Sequence, residues 1–385
     1  MTEILYMDHQ ATTPAEKSVL SAMSDYWEKS FGNPHSNGHA IGWKANAAIS
    51  KAASNVATLI GAEKDEVIFT SGATESNNIA AFSLCELADR FLDRKQVLVS
   101  PIEHKCVLNS IDFWAEKNGL NVAVLKVDSA GYIDIDFLNT ALKTPTLFCS
   151  IGYVNNEIGT IQDIKKISNI LRDSEVIFHS DCAQAPKTLD CTNIAELTDL
   201  ASFSGHKMGG PVGIGALYIS GHLHEQIQPL IQGGGQQNGL RSGTLPLPLC
   251  VGFGEACRLL SQPESKNLIE STRVLRDYFF KRMTDLELPI RLNGPQLSER
   301  HAGNLNIAFE GIKAMDLLMA LQPSLCASSG SACGSGNIEP SHVLKALGLS
   351  DEKADSSIRL SLSHMNTKDE IDKAVKLISA RLDNF

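Results

Sequence analysis

The sequence contains no apolar run approaching the ~20 residues that a spanning helix needs, which argues against a membrane protein. It opens on Met1-Thr2-Glu3-Ile4, with neither a basic leader nor a long apolar core, so no signal peptide is expected. There is no CxxC pair. The nine cysteines are odd in number and irregularly spaced, which argues against a disulfide framework and a zinc knuckle. No metal site is expected, and a reducing, cytoplasmic compartment is. Walker A and strand-linked GxGxxG motifs are missing, as are internal repeats, low-complexity tracts and long linkers. Basic residues are outnumbered 34 to 44, for a net charge of -10. Such a field repels nucleic acid, so direct nucleic-acid binding is not expected.

What is present is an ordinary globular composition, 43% hydrophobic over 385 residues. That length suits two domains at ~150 residues each and permits a large core. Apolar runs at Glu66–Thr70, Gln96–Ser100, Val122–Val127, Thr146–Ile151, Val176–Phe178, Leu200–Phe203 and Ile214–Ile219 alternate with helical stretches, among them Asn77–Phe91 and Val107–Lys117. Runs this apolar read as strands buried on both faces, joined by helical crossovers. The expected class is α/β: a mostly parallel seven-stranded sheet sandwiched by helices, over residues 15–258. From about Leu259 the pattern changes to a long helix, Asn267–Thr284, a strand at Leu305–Phe309, a helix at Ala314–Leu321 and a last helix at Lys368–Leu382. Residues 259–385 read as a smaller α+β domain, with residues 1–14 packed against it.

Ligands of parallel sheets bind beyond the strands' carboxyl ends. Ser71-Gly72-Ala73-Thr74-Glu75-Ser76 stands at such a place. It reads as a phosphate cradle at a helix N-terminus, or as an ordinary cap with Ser71 or Thr74 as the capping residue. His104 follows the second run and suits stacking on a flat ring, or a plain surface histidine. Asp181 ends the run at Val176–Phe178, with Gln184 three residues on. A carboxylate there needs a cation, such as a protonated pyridine nitrogen, or else caps a helix. Lys207 follows Ser204-Gly205-His206. It reads as a buried amine with a lowered pKa, flanked by phosphate donors, or as a snorkelling surface lysine. Together a phosphate cradle, a stacking histidine, a strand-end aspartate and a strand-end lysine meet the needs of pyridoxal 5'-phosphate. The aspartate keeps the ring nitrogen protonated and the lysine holds the aldehyde as a Schiff base.

Two further stretches carry chemistry. Gly233-Gly234-Gly235 and Arg241-Ser242-Gly243-Thr244 form a donor-rich loop that suits phosphate contacts, within the chain or from a second subunit, or serves only as turns. Cys333 sits inside Ala327-Ser328-Ser329-Gly330-Ser331-Ala332-Cys333-Gly334-Ser335-Gly336, a run of small residues that leaves a thiol exposed as a nucleophile. Cys326 reads as core, and the other seven cysteines as structural. Arg359, on the apolar run Ser357–Ser361, needs a carboxylate partner, from substrate or from an internal acid.

These segments resemble the cysteine desulfurases of the fold-type I, class V aminotransferase-like group. The resemblance runs through Asp8-His9-Gln10-Ala11-Thr12-Thr13-Pro14, Phe31-Gly32-Asn33-Pro34, Phe69 to Asn77, Glu103-His104-Lys105, Val154 to Gly159, Ser202 to Lys207, Arg241 to Thr244, Ser328 to Cys333 and Ser356 to Arg359. It implies conversion of L-cysteine to L-alanine, with the sulfur left as a persulfide on Cys333 and passed to an acceptor protein of iron–sulfur assembly or another sulfur-transfer route. It also implies a homodimer. Lys207 would bind the cofactor aldehyde, His104 stack on the ring, Asp181 meet the pyridine nitrogen and Gln184 the ring hydroxyl. Ala73, Thr74, Ser204 and His206 would hold the phosphate, with Thr244 reaching in from the second subunit. Asn156 would lie against cofactor and substrate, and Arg359 would bind the substrate carboxylate. The departures are His9-Gln10 in the opening motif, Gly334 after the cysteine, and only 26 residues after Arg359. The short tail leads us to expect no tail-mediated docking of a scaffold protein. A selenocysteine lyase-like enzyme and a sulfur donor for DNA phosphorothioation are the alternatives.

Overall fold

The structure is a computed structural model that describes residues 4–330 and 339–382. The chain opens with β1 (Leu5–Tyr6), α1 (Lys17–Glu28) and α2 (Ala40–Ile60). An alternating stretch follows: β2 (Val67–Thr70), α3 (Ala73–Glu86), β3 (Gln96–Val99), α4 (Lys105–Lys117), β4 (Asn121–Val124), α5 (Ile135–Ala141), β5 (Thr146–Ser150) and α6 (Ile164–Asp173). It closes with β6 (Ile177–Asp181), α7 (Ile194–Leu197), β7 (Leu200–Ser204) and β8 (Gly215–Ile219). Next come α8 (Leu247–Leu260), α9 (Ser265–Asp285), β9 (Ile290–Leu292), β10 (Asn304–Phe309), α10 (Ala314–Leu321), β11 (Leu325–Cys326) and β12 (Ser328–Ser329). The last elements are α11 (His342–Ala346), α12 (Asp351–Asp355), β13 (Ser357–Ser361) and α13 (Lys368–Leu382).

The seven apolar runs form one sheet, ordered β2-β8-β7-β6-β5-β3-β4. β4-β3-β5-β6-β7 are parallel throughout, and β8 is antiparallel to both β7 and β2. Two reversals restore direction, so β2 points the same way as the parallel block. The carboxyl ends of β2, β3, β5, β6 and β7 therefore open on one edge. Strands β2, β5, β7 and β8 are buried at every position, as continuous apolar runs require. β4 is the exposed edge.

β12-β13-β10-β9 make a second, antiparallel sheet whose apolar face packs on α9, α10 and α13. The amino-terminal residues belong with this part of the molecule. β1 pairs in parallel with β11, and Asp8 bridges to Ser361.

Two details depart from the sequence reading. α3 begins at Ala73, four residues before the expected Asn77, and ends at Glu86. Its N-cap is Gly72, with φ 151°, and neither Ser71 nor Thr74 caps it. Helices α2 and α8 carry no strong apolar stripe in the sequence because they meet through small residues. A Cβ on Gly254 would stand 2.6 Å from Ala52 Cα.

Candidate active site

A cavity of about 460 Å³ lies on the edge where those strands end, within the range of small-molecule sites. Ala73 and Thr74 line it from the start of α3, where the first N–H groups have no carbonyl behind them in the helix. Gly72 makes this possible, since its φ favours glycine. Gly215 on β8 is equally constrained, because its Cβ would meet Gly72 Cα at 2.7 Å. These positions bring Ser204 opposite the helix start, which forms an anion cradle.

Lys207 and His206 follow β7 in a 3-10 turn, and both line the cavity. Burial pulls the Lys207 ammonium below the ordinary lysine range, while Asp181 works the other way. His206 Nδ1 lies 3.1 Å from Thr12 Oγ1, and burial lowers its pKa too.

Asp181 ends β6 and is not a helix cap. Its Oδ1 accepts from Ala183 N at 2.9 Å and its Oδ2 from Asn77 Nδ2 at 2.8 Å, so the carboxylate is held in place. Gln184 is buried, lines the cavity and donates from Nε2 to Gln10 O at 3.0 Å. His104 caps α4, accepting from Cys106 N at 3.2 Å. Asn156 lines the wall and its carbonyl accepts from Arg359 Nη1 at 3.0 Å.

Three more residues of the expected site have defined surroundings. The Arg241 guanidinium is spent on Glu75, with Nε 2.7 Å from Oε1, so it neutralises an acid beside the cradle in place of contacting phosphate itself. Thr244 is exposed and is not part of the cavity wall of a single chain. Arg359 has an internal partner: its Nη2 lies 2.7 Å from Asp8 Oδ1, while its buried Nε has none. Cys333 lies outside the described residues. Strand β12, which ends at Ser329, is tied to the site through Ser328, whose Oγ donates to Asp8 Oδ2 at 2.7 Å.

Sequence reasoning missed two groups on the wall. Glu103 is buried, with Gly152 N donating to it at 2.6 Å, and burial pushes its carboxyl up to about 8. Cys106, read as structural, lines the cavity with Sγ 3.0 Å from His104 Nδ1 and 3.2 Å from Asn77 Nδ2. Burial raises its thiol to about 11. Cys326 is half-buried in β11, where core was expected.

The donor set fits pyridoxal 5'-phosphate. A fixed carboxylate, a half-buried amine with a lowered pKa and an N-terminal anion cradle share one cavity.

Comparison with known proteins agrees with this chemistry. The profile of the family "Aminotransferase class-V" matches residues 5–374, and the chain belongs to that family, whose members use pyridoxal phosphate. "Cysteine desulfurase IscS" of Rickettsia typhi is 43% identical over 100% of this chain and 92% of its own length. A solved "NifS-like protein" superposes with a TM-score of 0.91 at 31% identity, covering 100% of both chains. "SspA in complex with cysteine" gives a TM-score of 0.80 at 35% identity over 94% of this chain and 99% of its own. These relatives place the chain among the cysteine desulfurases of the class-V family.

Proposed function

We propose that the protein converts L-cysteine to L-alanine, carries the sulfur as a Cys333 persulfide, and passes it to an acceptor protein of iron–sulfur assembly. The observation that carries the reading is one cavity holding Lys207, Asp181, His104 and the Ala73–Thr74 cradle, in a chain 43% identical to a named cysteine desulfurase.

Bound pyridoxal phosphate supplies an aldehyde for the substrate amine and a ring that takes up electrons released at Cα. The protein does the rest. Ala73, Thr74, Ser204 and His206 would fix the phosphate, and Asp181, oriented by Asn77 and Ala183, would hold a proton on the ring nitrogen. His104 would lie against the ring, Asn156 against ring and substrate, and Gln184 would face the ring hydroxyl, all three lining the cavity. The neutral Lys207 amine removes the Cα proton, a role its lowered pKa supports. The Arg359 guanidinium holds the substrate carboxylate. The Cys333 thiolate attacks the substrate sulfur, the C–S bond breaks with its electron pair left on the carbon side, and protons returned at Cβ and then at Cα complete alanine. A reducing, cytoplasmic setting keeps such a thiol unoxidised.

The same reading makes the enzyme a homodimer, with Thr244 completing the neighbouring site. Support comes from Val212, which lines the cavity while 71% exposed, and from exposed Trp27, Phe31 and Trp43.

The test is mass spectrometry after incubation with cysteine. One added sulfur on the peptide containing Cys333 is expected, and Cys333→Ser retains the cofactor while losing both the adduct and sulfide release. Unchanged alanine and sulfide formation by Cys333→Ser would overturn the assignment.

A further inference from the structure

Cys106 stands apart from the six fully buried thiols among the described residues, because its sulfur reaches the active-site wall. The backbone N–H of Cys106 donates to His104 Nδ1 at 3.2 Å. An Nδ1 that accepts carries a lone pair, so the neutral ring bears its proton on Nε2. The Cys106 sulfur lies 3.0 Å from the same Nδ1. With that nitrogen an acceptor, the thiol is the donor, and Thr74 is a further side-chain hydrogen-bond partner of the sulfur.

The sulfur also receives. Asn77 Nδ2 donates one hydrogen to Cys106 Sγ at 3.2 Å and the other to Asp181 Oδ2 at 2.8 Å. Asn77 is buried and its Oδ1 has no partner. Turning the amide over would set an oxygen against the carboxylate, so the orientation is fixed. The result is a continuous chain, Asp181 to Asn77 to Cys106 to His104.

We propose that Cys106 is a positioning residue: its thiol is a second donor to His104 Nδ1, reinforcing the Nε2–H tautomer that the backbone N–H already favours, and it ties the ring, through Asn77, to the carboxylate of Asp181. The inference rests on the proposed function only for what His104 and Asp181 face, since the hydrogen-bond chain belongs to the protein itself. Exchange of sulfur with substrate is a poorer use of this thiol. With its pKa pushed up to about 11, roughly one molecule in 10⁴ carries the thiolate at pH 7.

A donor to Nδ1 stabilises neutral imidazole, because protonation removes the acceptor. His104 is already held below the usual histidine range, by burial first and then by Lys207, with His342 and Lys105 adding to it and Asp181 opposing. Those groups are unchanged by substitution at position 106, which isolates the thiol.

The test compares Cys106→Ser, which keeps a donor, with Cys106→Val, which fills the space without one, and Cys106→Ala as a second donor-free variant. Deuterium exchange at the imidazole C2 of the holoenzyme, followed by mass spectrometry across pH, reads the His104 pKa independently of turnover. Donor-free variants are expected to raise it by about half to one unit, with Cys106→Ser near wild type. The acid limb of kcat/KM should move the same way. A His104 titration unchanged in either donor-free variant would overturn the proposal, as would a Cys106→Ser shift equal to theirs. Loss of persulfide formation in Cys333→Ser concerns the proposed function and leaves this result untouched.

Discussion

Arg359 Nη2 lies 2.7 Å from Asp8 Oδ1, so the arginine assigned to the substrate carboxylate is already half-engaged by the first turn after β1. The pair is mostly buried, and Ser328 Oγ completes the Asp8 carboxylate. Asp8 thereby orients a guanidinium whose Nε remains without a partner.

Replacing that fork by a single ammonium tests the arrangement. Arg359→Lys keeps the charge near Asp8 and loses the second donor direction. The expected result is a KM for cysteine raised by about 10- to 100-fold, the worth of one charged hydrogen bond, with kcat nearly unchanged. Steady-state kinetics decide it. An unchanged KM would confine Arg359 to its link with Asp8.

Lys207→Ala removes the amine that burial keeps available. Turnover should fall by about 10²- to 10⁴-fold, as for loss of a general base, and the cofactor should leave on dialysis. In the wild type the rate should rise with pH through a limb below the ordinary lysine pKa, since burial lowers it. A pH–rate profile with the Lys207 limb at the free-lysine value would contradict the burial argument.

Glu103 gives a stability prediction with a definite sign. Its folded pKa, about 8, stands above the ordinary 4.5 because burial penalises the charge. The folded state therefore binds a proton that the unfolded state releases. Its favourable contribution is complete below about pH 4.5 and is lost as pH rises through about 8. Glu103→Gln keeps an acceptor for Gly152 N and carries no charge. Thermal unfolding should show wild type falling behind the variant between those limits, most clearly at pH 8 and above. Parallel Tm curves would show that Glu103 does not titrate in this window.

Arg241 and Glu75 form a coupled pair beside the phosphate cradle, with Ser71 N donating to the same carboxylate at 2.8 Å. Arg241→Ala leaves that negative charge unopposed where a phosphate must sit. Cofactor affinity, followed by equilibrium dialysis, should weaken by about 10- to 100-fold. Adding Glu75→Gln should restore part of it, because the two effects are not independent. Purely additive losses would show that the pair acts on folding alone.

The seven strands were legible because parallel strands buried on two faces leave continuous apolar runs, as at Thr146–Ser150. Lys207, Asp181, His104, Gln184 and Ser204 were legible as polar residues directly after such runs, and all line one cavity. What stayed hidden depends on direction within a turn. Cys106 is two residues after a capping histidine, a position whose backbone N–H reaches back to the cap, and His104-Lys105-Cys106 carried that signal unread. Arg359 and Asp8 stand 351 residues apart, so nothing local announces their pairing. α2 and α8 escaped notice because Ala52 and Gly254 meet backbone to backbone, without the large side chains that mark a stripe.

The segment Leu5–Thr13 is stitched to parts of the chain made much later. Leu5 pairs with Leu325, His9 N donates to Ser361 O, and Thr13 N donates to His206 O. These residues are thus made long before their partners and are among the last to find them. Contacts of such long sequence separation slow folding, because the loop must close before they form. Asp8 reaches Arg359 only then, so a growing chain can complete its seven-stranded sheet before Arg359 is oriented. The geometry of that pair is therefore set late, by a contact between segments 351 residues apart.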